Sequence, residues 1–300
     1  MAGTQPHSWD PERYLTFADE RGRPFVDLIA QIDAAAHATV VNTVVDLGCG
    51  PGNLTHLLTE RWPQARVTGL DSSPEMIAAA RRDLARRDLA RRDLARPDLA
   101  RPDDVRRDGV GSLSFGVADL REWRPDAPVD VLVSNATLQW VDGHLELLPR
   151  LVEAVAPGGW LAFQVPGNFA EPSHEIRRVL ADEAPYVAHT RSLATPASHD
   201  PAVYLEALAA LGCAVDAWET IYLHVLSTRA DPDPVFTWVS GTGARPTLQA
   251  LEAASAGLRG EFEKELKARL RTAYPASDRG RVLLPFRRIF VVAQVARGAR

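Results

Sequence analysis

Cysteine is scarce in this chain of 300 residues: there are two, Cys49 and Cys213, too few for a disulfide framework or a thiolate metal site. No apolar run is long enough to span a bilayer. The N-terminal stretch is polar, with Trp9, Asp10 and Glu12, and lacks the basic-then-apolar pattern of a secretory leader. Positive charge is not in excess either: a formal net charge of −5 gives no general attraction to nucleic acid or anionic lipid. These absences point to a cytoplasmic protein that works on a small molecule, without membrane, nucleic-acid or metal partners. They leave oligomeric state open. Length and composition allow a sizeable core.

What the chain does have begins at Asp46-Leu-Gly-Cys-Gly-Pro-Gly-Asn-Leu-Thr55, entered from the apolar Thr43-Val44-Val45. This reads as a buried strand, a glycine turn and the start of a helix. The glycines allow a sharp turn and close approach to a ligand, and the free N–H groups of the following helix favour a negatively charged group. Asp71 ends the next strand-like run, Arg66 to Leu70, where a dinucleotide fold places a ribose-binding carboxylate. A nucleoside-containing cofactor fits both features. The G-x-G-x-x-G spacing of nicotinamide and flavin sites is missing. The turn instead resembles motif I of the class I S-adenosylmethionine (SAM) methyltransferases, close to D-x-G-x-G-x-G.

Further apolar runs place strands at Leu113 to Val117, Val129 to Val133, Trp160 to Val165, Val215 to Leu226 and Arg288 to Ala293. Helical spacing predicts two helices between Pro11 and Ala36 separated by Pro24, one ending before Pro63, and one started by Ser72-Ser73-Pro74-Glu75. More are predicted over Leu145 to Ala156, His174 to Ala184, Pro201 to Leu211 and Leu251 to Tyr274. Strands alternating with helices mean an α/β fold with a doubly wound, mostly parallel sheet. We read residues 1–300 as one domain: a Rossmann-like cofactor-binding core over 37–166, with lid and substrate cap over 1–36 and 167–280. The last two strands finish the same sheet.

A five-residue Arg-Arg-Asp-Leu-Ala repeat occupies 82–103. A five-residue step spirals Leu84, Leu89, Leu94 and Leu99 around a helix and forms no core-facing stripe. Aspartates stand four residues before arginines, as in Asp83/Arg87 and Asp88/Arg92, which supports an exposed helix. The repeat reads as a solvated helical insertion up to about Arg96, with a basic nucleic-acid arm as the alternative.

The resemblance extends beyond motif I. Leu70-Asp-Ser-Ser-Pro-Glu-Met76, Ser134-Asn-Ala-Thr-Leu-Gln-Trp140, Gln164-Val-Pro-Gly-Asn168, Thr242-Gly-Ala-Arg-Pro246 and Pro285-Phe-Arg-Arg-Ile-Phe290 are similar to the trans-aconitate methyltransferase family. So are Trp9-Asp-Pro-Glu-Arg-Tyr14 and Arg21-Gly-Arg-Pro24. The resemblance implies SAM as cofactor. Asp46, Gly48, Gly50 and Gly52 form the turn around its methionine and ribose portions, Asp71 and Ser72 meet the ribose, and Asp119 meets the adenine amino group. Leu120 or Trp123 lies near the ring, and Asn135 faces the methionine end. A plain strand-end cap is the other reading of Asp119.

Methylating a carboxylate needs no general base, because the group is already ionised at neutral pH. Placement of the two reacting atoms is the main task, and no base dyad is evident. A polyacid acceptor does need cations, preferably forked arginines. Arg23, Arg245 and Arg288 lie in the family-like motifs, with Arg287 as a neighbour. Trp9, Tyr14, Gln139, Trp140, Asn168 and Trp238 are candidates to close the pocket, and His144 and His174 to donate hydrogen bonds to an acid. The expected activity is conversion of trans-aconitate to a monomethyl ester. The alternatives are another small acid or hydroxyl acceptor, or a SAM-binding module without turnover. Ser134-Asn-Ala-Thr does not match the Asn/Asp-Pro-Pro-Tyr/Phe motif of base methylation.

Overall fold

A computed structural model describes residues 18–33, 40–94 and 111–297. Trp9 and Tyr14, residues 95–110 of the repeat region and the part of the first predicted N-terminal helix before Ala18 lie outside them. Seven strands form one sheet: β1 Thr43–Leu47, β2 Arg66–Asp71, β3 Leu113–Val117, β4 Val129–Asn135, β5 Val155–Pro166, β6 Ala214–Ser227 and β7 Arg281–Gln294. Their order is β3-β2-β1-β4-β5-β7-β6. The first five run parallel, and β7 lies antiparallel between β5 and β6. The chain winds outward both ways from β1 and β4, so ligands are expected where the carboxyl ends of these two strands diverge.

Helices cover both faces. The described helices are α1 Ala18–Ala30, α2 His56–Arg61, α3 Pro74–Leu94, α4 Leu148–Glu153, α5 Pro172–Ala181, α6 Val187–Thr190, α7 Pro201–Ala209, α8 Pro234–Ser240, α9 Arg245–Ala254 and α10 Ala256–Ala273. On one face α4 and α7 bury Leu151, Tyr204 and Leu208 against Leu132, Phe163 and Val291. On the other, α1 presents Phe25 and Leu28, and Ile32 just beyond it joins them against Val44, Val131 and Phe290. Fully burying such a side chain contributes about 2 kcal/mol. Helices α8 to α10 form a cap over the outer half of the β6–β7 hairpin, through Trp238, Phe262, Leu266, Leu284 and Phe286.

Pro24 lies inside α1 and does not divide it. The helix expected over Leu145 to Ala156 is shorter. A 3-10 turn, His144–Leu147, precedes α4, and Val155 already pairs with Val129 as the start of β5. The helix expected from Leu251 to Tyr274 is two helices meeting at Ser255, and α6 and α8 were not anticipated. Ser73 starts α3 as expected, its Oγ accepting the Met76 N–H at 3.2 Å. The repeat continues α3: Arg87 donates to Asp83 at 2.7 Å, Leu84 packs beside Ile77 and Phe115, and Leu89 is exposed.

Candidate active site

The glycine turn is tied to the end of β2. Gly48 and Cys49 donate their N–H groups to Leu70 O at 2.7 and 3.0 Å. Asp71 takes the Gly50 N–H on Oδ2 and the Ser73 N–H on Oδ1, each at 2.9 Å. Gly48, Gly50 and Gly52 all have positive φ, 77°, 57° and 72°, a conformation that favours glycine. Their surroundings differ. A Cβ on Gly48 would strike the Thr137 side chain at 2.2 Å and one on Gly52 would strike Phe115 at 2.6 Å, whereas one on Gly50 meets nothing within 4 Å. Gly48 and Gly52 let the turn pack against β4 and β3, and Gly50 borders open space. That opening, beside a carboxylate engaged only by backbone N–H groups among the described residues, fits a nucleoside sugar.

Asp46 lies beneath the turn, 3% exposed, and accepts from Thr55 Oγ1 at 2.7 Å. Burial pushes its carboxyl up to about 7, partly countered by Thr55. Burial also raises Asp71, against the N–H groups of Ser73 and Gly50. Ser72 is exposed beside it. Asp119 follows β3 and is gripped by Arg121, whose NH2 lies at 2.5 Å and backbone N–H at 2.8 Å. The Arg121 hydrogen bonds hold its carboxyl below the usual range. Arg150 pins this loop by donating to Leu120 O at 2.6 Å, and the Leu120 side chain is buried in the core.

At the carboxyl end of β4, Asn135 pairs in register with Gln164 of β5 and accepts from its Nε2 at 2.9 Å. The Asn135 amide is thereby turned to donate away from Gln164. Ala136 takes φ 53°, a left-handed backbone that costs a residue with a Cβ about 1 kcal/mol. Its N–H donates to Gln164 O at 2.8 Å and its O accepts from Gln139 Nε2 at 2.6 Å. Gln139 Oε1 is buried without a hydrogen-bond partner. Trp140 follows, half-buried, in the 3-10 turn Leu138–Trp140.

Two of the predicted substrate cations, Arg23 and Arg288, are linked through Tyr222, and Arg245 lies near His174 along the chain. Arg288 on β7 lies opposite Pro166 of β5 and Thr220 of β6, and its guanidinium stands 4.4 Å from the Phe286 ring. Arg23 is exposed, 5.2 Å over the Tyr222 ring and 3.9 Å from Asp27. The fields of both arginines reach the Tyr222 hydroxyl, although burial and its bond to Asp27 still raise its pKa. Arg245 opens α9, two residues after Gly243, whose Cβ would stand 3.0 Å from His174 Nε2. Asn168, 1% exposed, places Nδ2 3.5 Å from His174 Nδ1. Arg287 faces away, bonded to Asp200 at 2.8 Å and to Glu219.

Two aromatic and imidazole candidates have internal duties. Trp238 is 1% exposed, 4.3 Å from the His224 ring and packed on Phe286, so it backs the pocket wall without lining it. His144 is engaged at both ring nitrogens, by Val141 O at 3.3 Å and Tyr204 OH at 2.7 Å. A backbone carbonyl can only accept, so the neutral His144 ring carries its proton on Nδ1 toward Val141 O and its Nε2 accepts from the Tyr204 hydroxyl, which also accepts the His199 N–H. Two residues the sequence reading had not singled out as site groups are also here: Gln164, which orients Asn135, and Arg177, one helical turn after His174 on α5. The i, i+3 spacing of His174 and Arg177 was the available signal for the second.

Chemically, the arrangement offers open space over Gly50 at the switch point and cationic and amide groups beyond the ends of β5 and β7. Among the described residues it offers no poised base there. His174 is driven down to about 4 by burial, Arg177 and Arg288, and the Asp46 carboxyl is sealed under the turn.

Comparison with known proteins agrees with this layout. The model of a family described as a methyltransferase domain matches residues 15–210. A trans-aconitate 2-methyltransferase from Streptomyces avermitilis is 49% identical over 288 residues, covering 95% of this chain and 96% of its own. Another from Rhodococcus jostii is 45% identical over 293 residues, covering 96% and 99%, and one from Mycobacterium marinum 40% over 295, covering 97% of each. Among solved structures, the YcgJ protein of Bacillus subtilis shares the fold with a TM-score of 0.52 at 12% identity, over 91% of this chain and 100% of its own. A protein from Galdieria sulphuraria assigned as a sarcosine dimethylglycine methyltransferase gives 0.51 at 12% identity, over 91% and 86%.

Proposed function

Since this chain belongs to the trans-aconitate 2-methyltransferase family of class I SAM-dependent methyltransferases, we infer that it transfers the methyl group of SAM to a carboxylate of trans-aconitate, forming a monomethyl ester. The observation that carries this reading is identity of 40–49% to those relatives along nearly the whole chain. Bound SAM supplies a methyl carbon attached to a positively charged sulfur, open to in-line attack by a carboxylate oxygen. No proton has to move, which suits a site without a poised base.

The remaining work falls to positioning. Asp71 accepts from the ribose hydroxyls, with Ser72 beside it, and the open face of Gly50 admits the sugar. Asp46 supports the turn through Thr55, and Gly48 and Gly52 set its shape. Asp119 faces the adenine edge with Leu120 behind it. Asn135, oriented by Gln164, donates toward the methionine end. Arg288 and Arg245 hold acceptor carboxylates, Arg23 guards the entrance over Tyr222, and Gln139, Trp140 and Asn168 line the space that Trp238 backs. The segment 167–280 supplies the cap, and Trp9 and Tyr14, the lid candidates of 1–36, lie outside the described residues. Excluding water there strengthens each charge contact. The same proposal places the enzyme in the cytoplasm, in keeping with two free thiols, Cys49 and Cys213. No described helix is long and apolar enough to cross a membrane.

The test is methyl transfer from labelled SAM to trans-aconitate, cis-aconitate, citrate and isocitrate, with products identified by mass. A trans-aconitate monomethyl ester, lost in Arg288→Ala while SAM still binds, is expected. Tight SAM binding with no acid methylated would sink the carboxyl-acceptor assignment.

A further inference from the structure

We propose that Arg177, His174 and Asn168 form a second carboxylate subsite, which holds an acid group of the acceptor other than the one being methylated. This rests on the trans-aconitate reading above and adds to it a device for recognising the number of acid groups.

Helix α5 brings His174 and Arg177 to one face, and Asn168 approaches from the turn after β5. The half-buried Arg177 guanidinium donates from NH1 to Thr247 Oγ1 at 3.1 Å, and its Nε is buried with no hydrogen-bond partner. Among the described residues no carboxylate forms an ion pair with it. Asp182, the acid whose field reaches it, is held by Arg178 at 3.7 Å. Holding a guanidinium out of water without a counter-charge is costly. An arriving carboxylate removes that cost and matches the fork.

The neighbours are prepared for an anion too. Asn168 Oδ1 is buried without a hydrogen-bond partner, while Nδ2 faces His174 Nδ1, which also meets Ser173 Oγ at 3.2 Å. With both groups donating to Nδ1, the ring proton sits on Nε2. Exchanging the amide oxygen and nitrogen, which are assigned from hydrogen bonding, lets His174 Nδ1–H donate to the oxygen and turns the amide N–H groups into the vacant position. Either assignment leaves an N–H donor for a carboxylate. Residue 243 is glycine, and a Cβ there would stand 3.0 Å from His174 Nε2. With Arg177 and Arg288 both depressing its pKa, His174 stays neutral at physiological pH and donates without adding a third positive charge.

Position identifies whose carboxylate this is. In the strand order the glycine turn follows β1, Asn135 ends β4, and Asn168 and α5 follow β5, with Arg177 reaching Thr247 of α9, so the subsite is removed from the turn by two strands. The methionine carboxylate of SAM belongs to that turn, so the acid here belongs to the acceptor.

The test compares the intact enzyme with Arg177→Gln and Arg177→Lys at saturating SAM. The acceptors are trans-aconitate and the three dicarboxylates that each lack one of its acid groups, glutaconate, mesaconate and itaconate. For trans-aconitate, Arg177→Gln is expected to lower kcat/KM about 100-fold, mainly through KM, as for loss of a charged hydrogen-bonding group, and Arg177→Lys to recover part of that. SAM affinity should stay at the wild-type value, and the melting temperature should not fall, since the substitution removes an uncompensated charge. For the dicarboxylate lacking the acid that Arg177 holds, the same substitution should change kcat/KM by less than about threefold, because the partner is already missing. An equal fall for all four acids would reveal a merely structural role and overturn the subsite, as would no fall for any. Should Arg177→Gln fail to fold, Arg177→Lys carries the same comparison. Wild-type enzyme that binds SAM and methylates none of the acids overturns the functional reading itself, and with it the subsite, before any variant is compared.

Discussion

Asp46 carries the clearest pH consequence of any single side chain here. Its carboxyl titrates near 7 in the folded protein, against 3.8 as its ordinary value. Between these values the folded state holds a proton that the unfolded chain releases. Stability from this group is therefore present below about pH 4 and lost as pH rises toward 7, by at most about 4 kcal/mol. Asp71 is raised as well and acts in the same direction. In urea unfolding at pH 5 and pH 7.5, the wild type should lose stability between the two, and Asp46→Asn should narrow that gap. Equal gaps in both proteins would mean that Asp46 ionises at its ordinary pKa. Nothing in the sequence signalled this titration. Asp46 was legible as part of a motif, but its burial under Gly48 and its bond to Thr55 exist only in the folded turn. The substrate side was less legible still, because Arg288, His174 and Arg177 come from one strand and one cap helix more than a hundred residues apart.

Elements were legible where one local signal sufficed. Strands β1 to β4 appear as short apolar runs bounded by glycine, proline or acidic residues, and each forms within two residues of the expected limits. The Leu145 to Ala156 helix failed because apolar residues continue through Ala154, Val155 and Ala156 in a pattern that either a helix or a strand accepts. Pairing of Val155 with Val129 decides it. The extended helix α3 shows the opposite case, where pattern alone predicts how little the element matters. The Asp83–Arg87 pair is about half exposed, and Leu89 is 60% exposed. An exposed i, i+4 pair contributes about 0.3–0.5 kcal/mol. Thermal unfolding of Arg87→Ala and Leu89→Ala should therefore each fall within about 0.5 kcal/mol of wild type. A loss of several kcal/mol in either would show that the repeat packs against the rest of the protein.

At the scale of the whole molecule, the sheet is completed out of sequence order. Strand β7, described after every other element, is inserted between β5 and β6 and pairs with both. Its two faces feed different clusters: Ile289, Val291 and Ala293 enter one, Phe290 and Val292 another, and Val282, Leu284 and Phe286 the cap. A version ending at Gly280 should leave β5 and β6 unpaired along their facing edges. It should be recovered in the insoluble fraction or without a cooperative melt, whereas a soluble, cooperatively melting product would show that the remaining strands suffice.

That placement has a consequence for how the protein is made. While the ribosome is still working through residues 281–294, the glycine turn can already be built, but the cap has no sheet to rest on and Arg288 has not been synthesised. The nascent chain can thus assemble its cofactor pocket well before it has a place for the acceptor. Through that interval it carries two open strand edges and two half-covered hydrophobic faces. The moment of greatest exposure to misassembly falls just before residues 281–294 are added, and the same strand that closes the core carries Arg288, the arginine proposed to hold the acceptor.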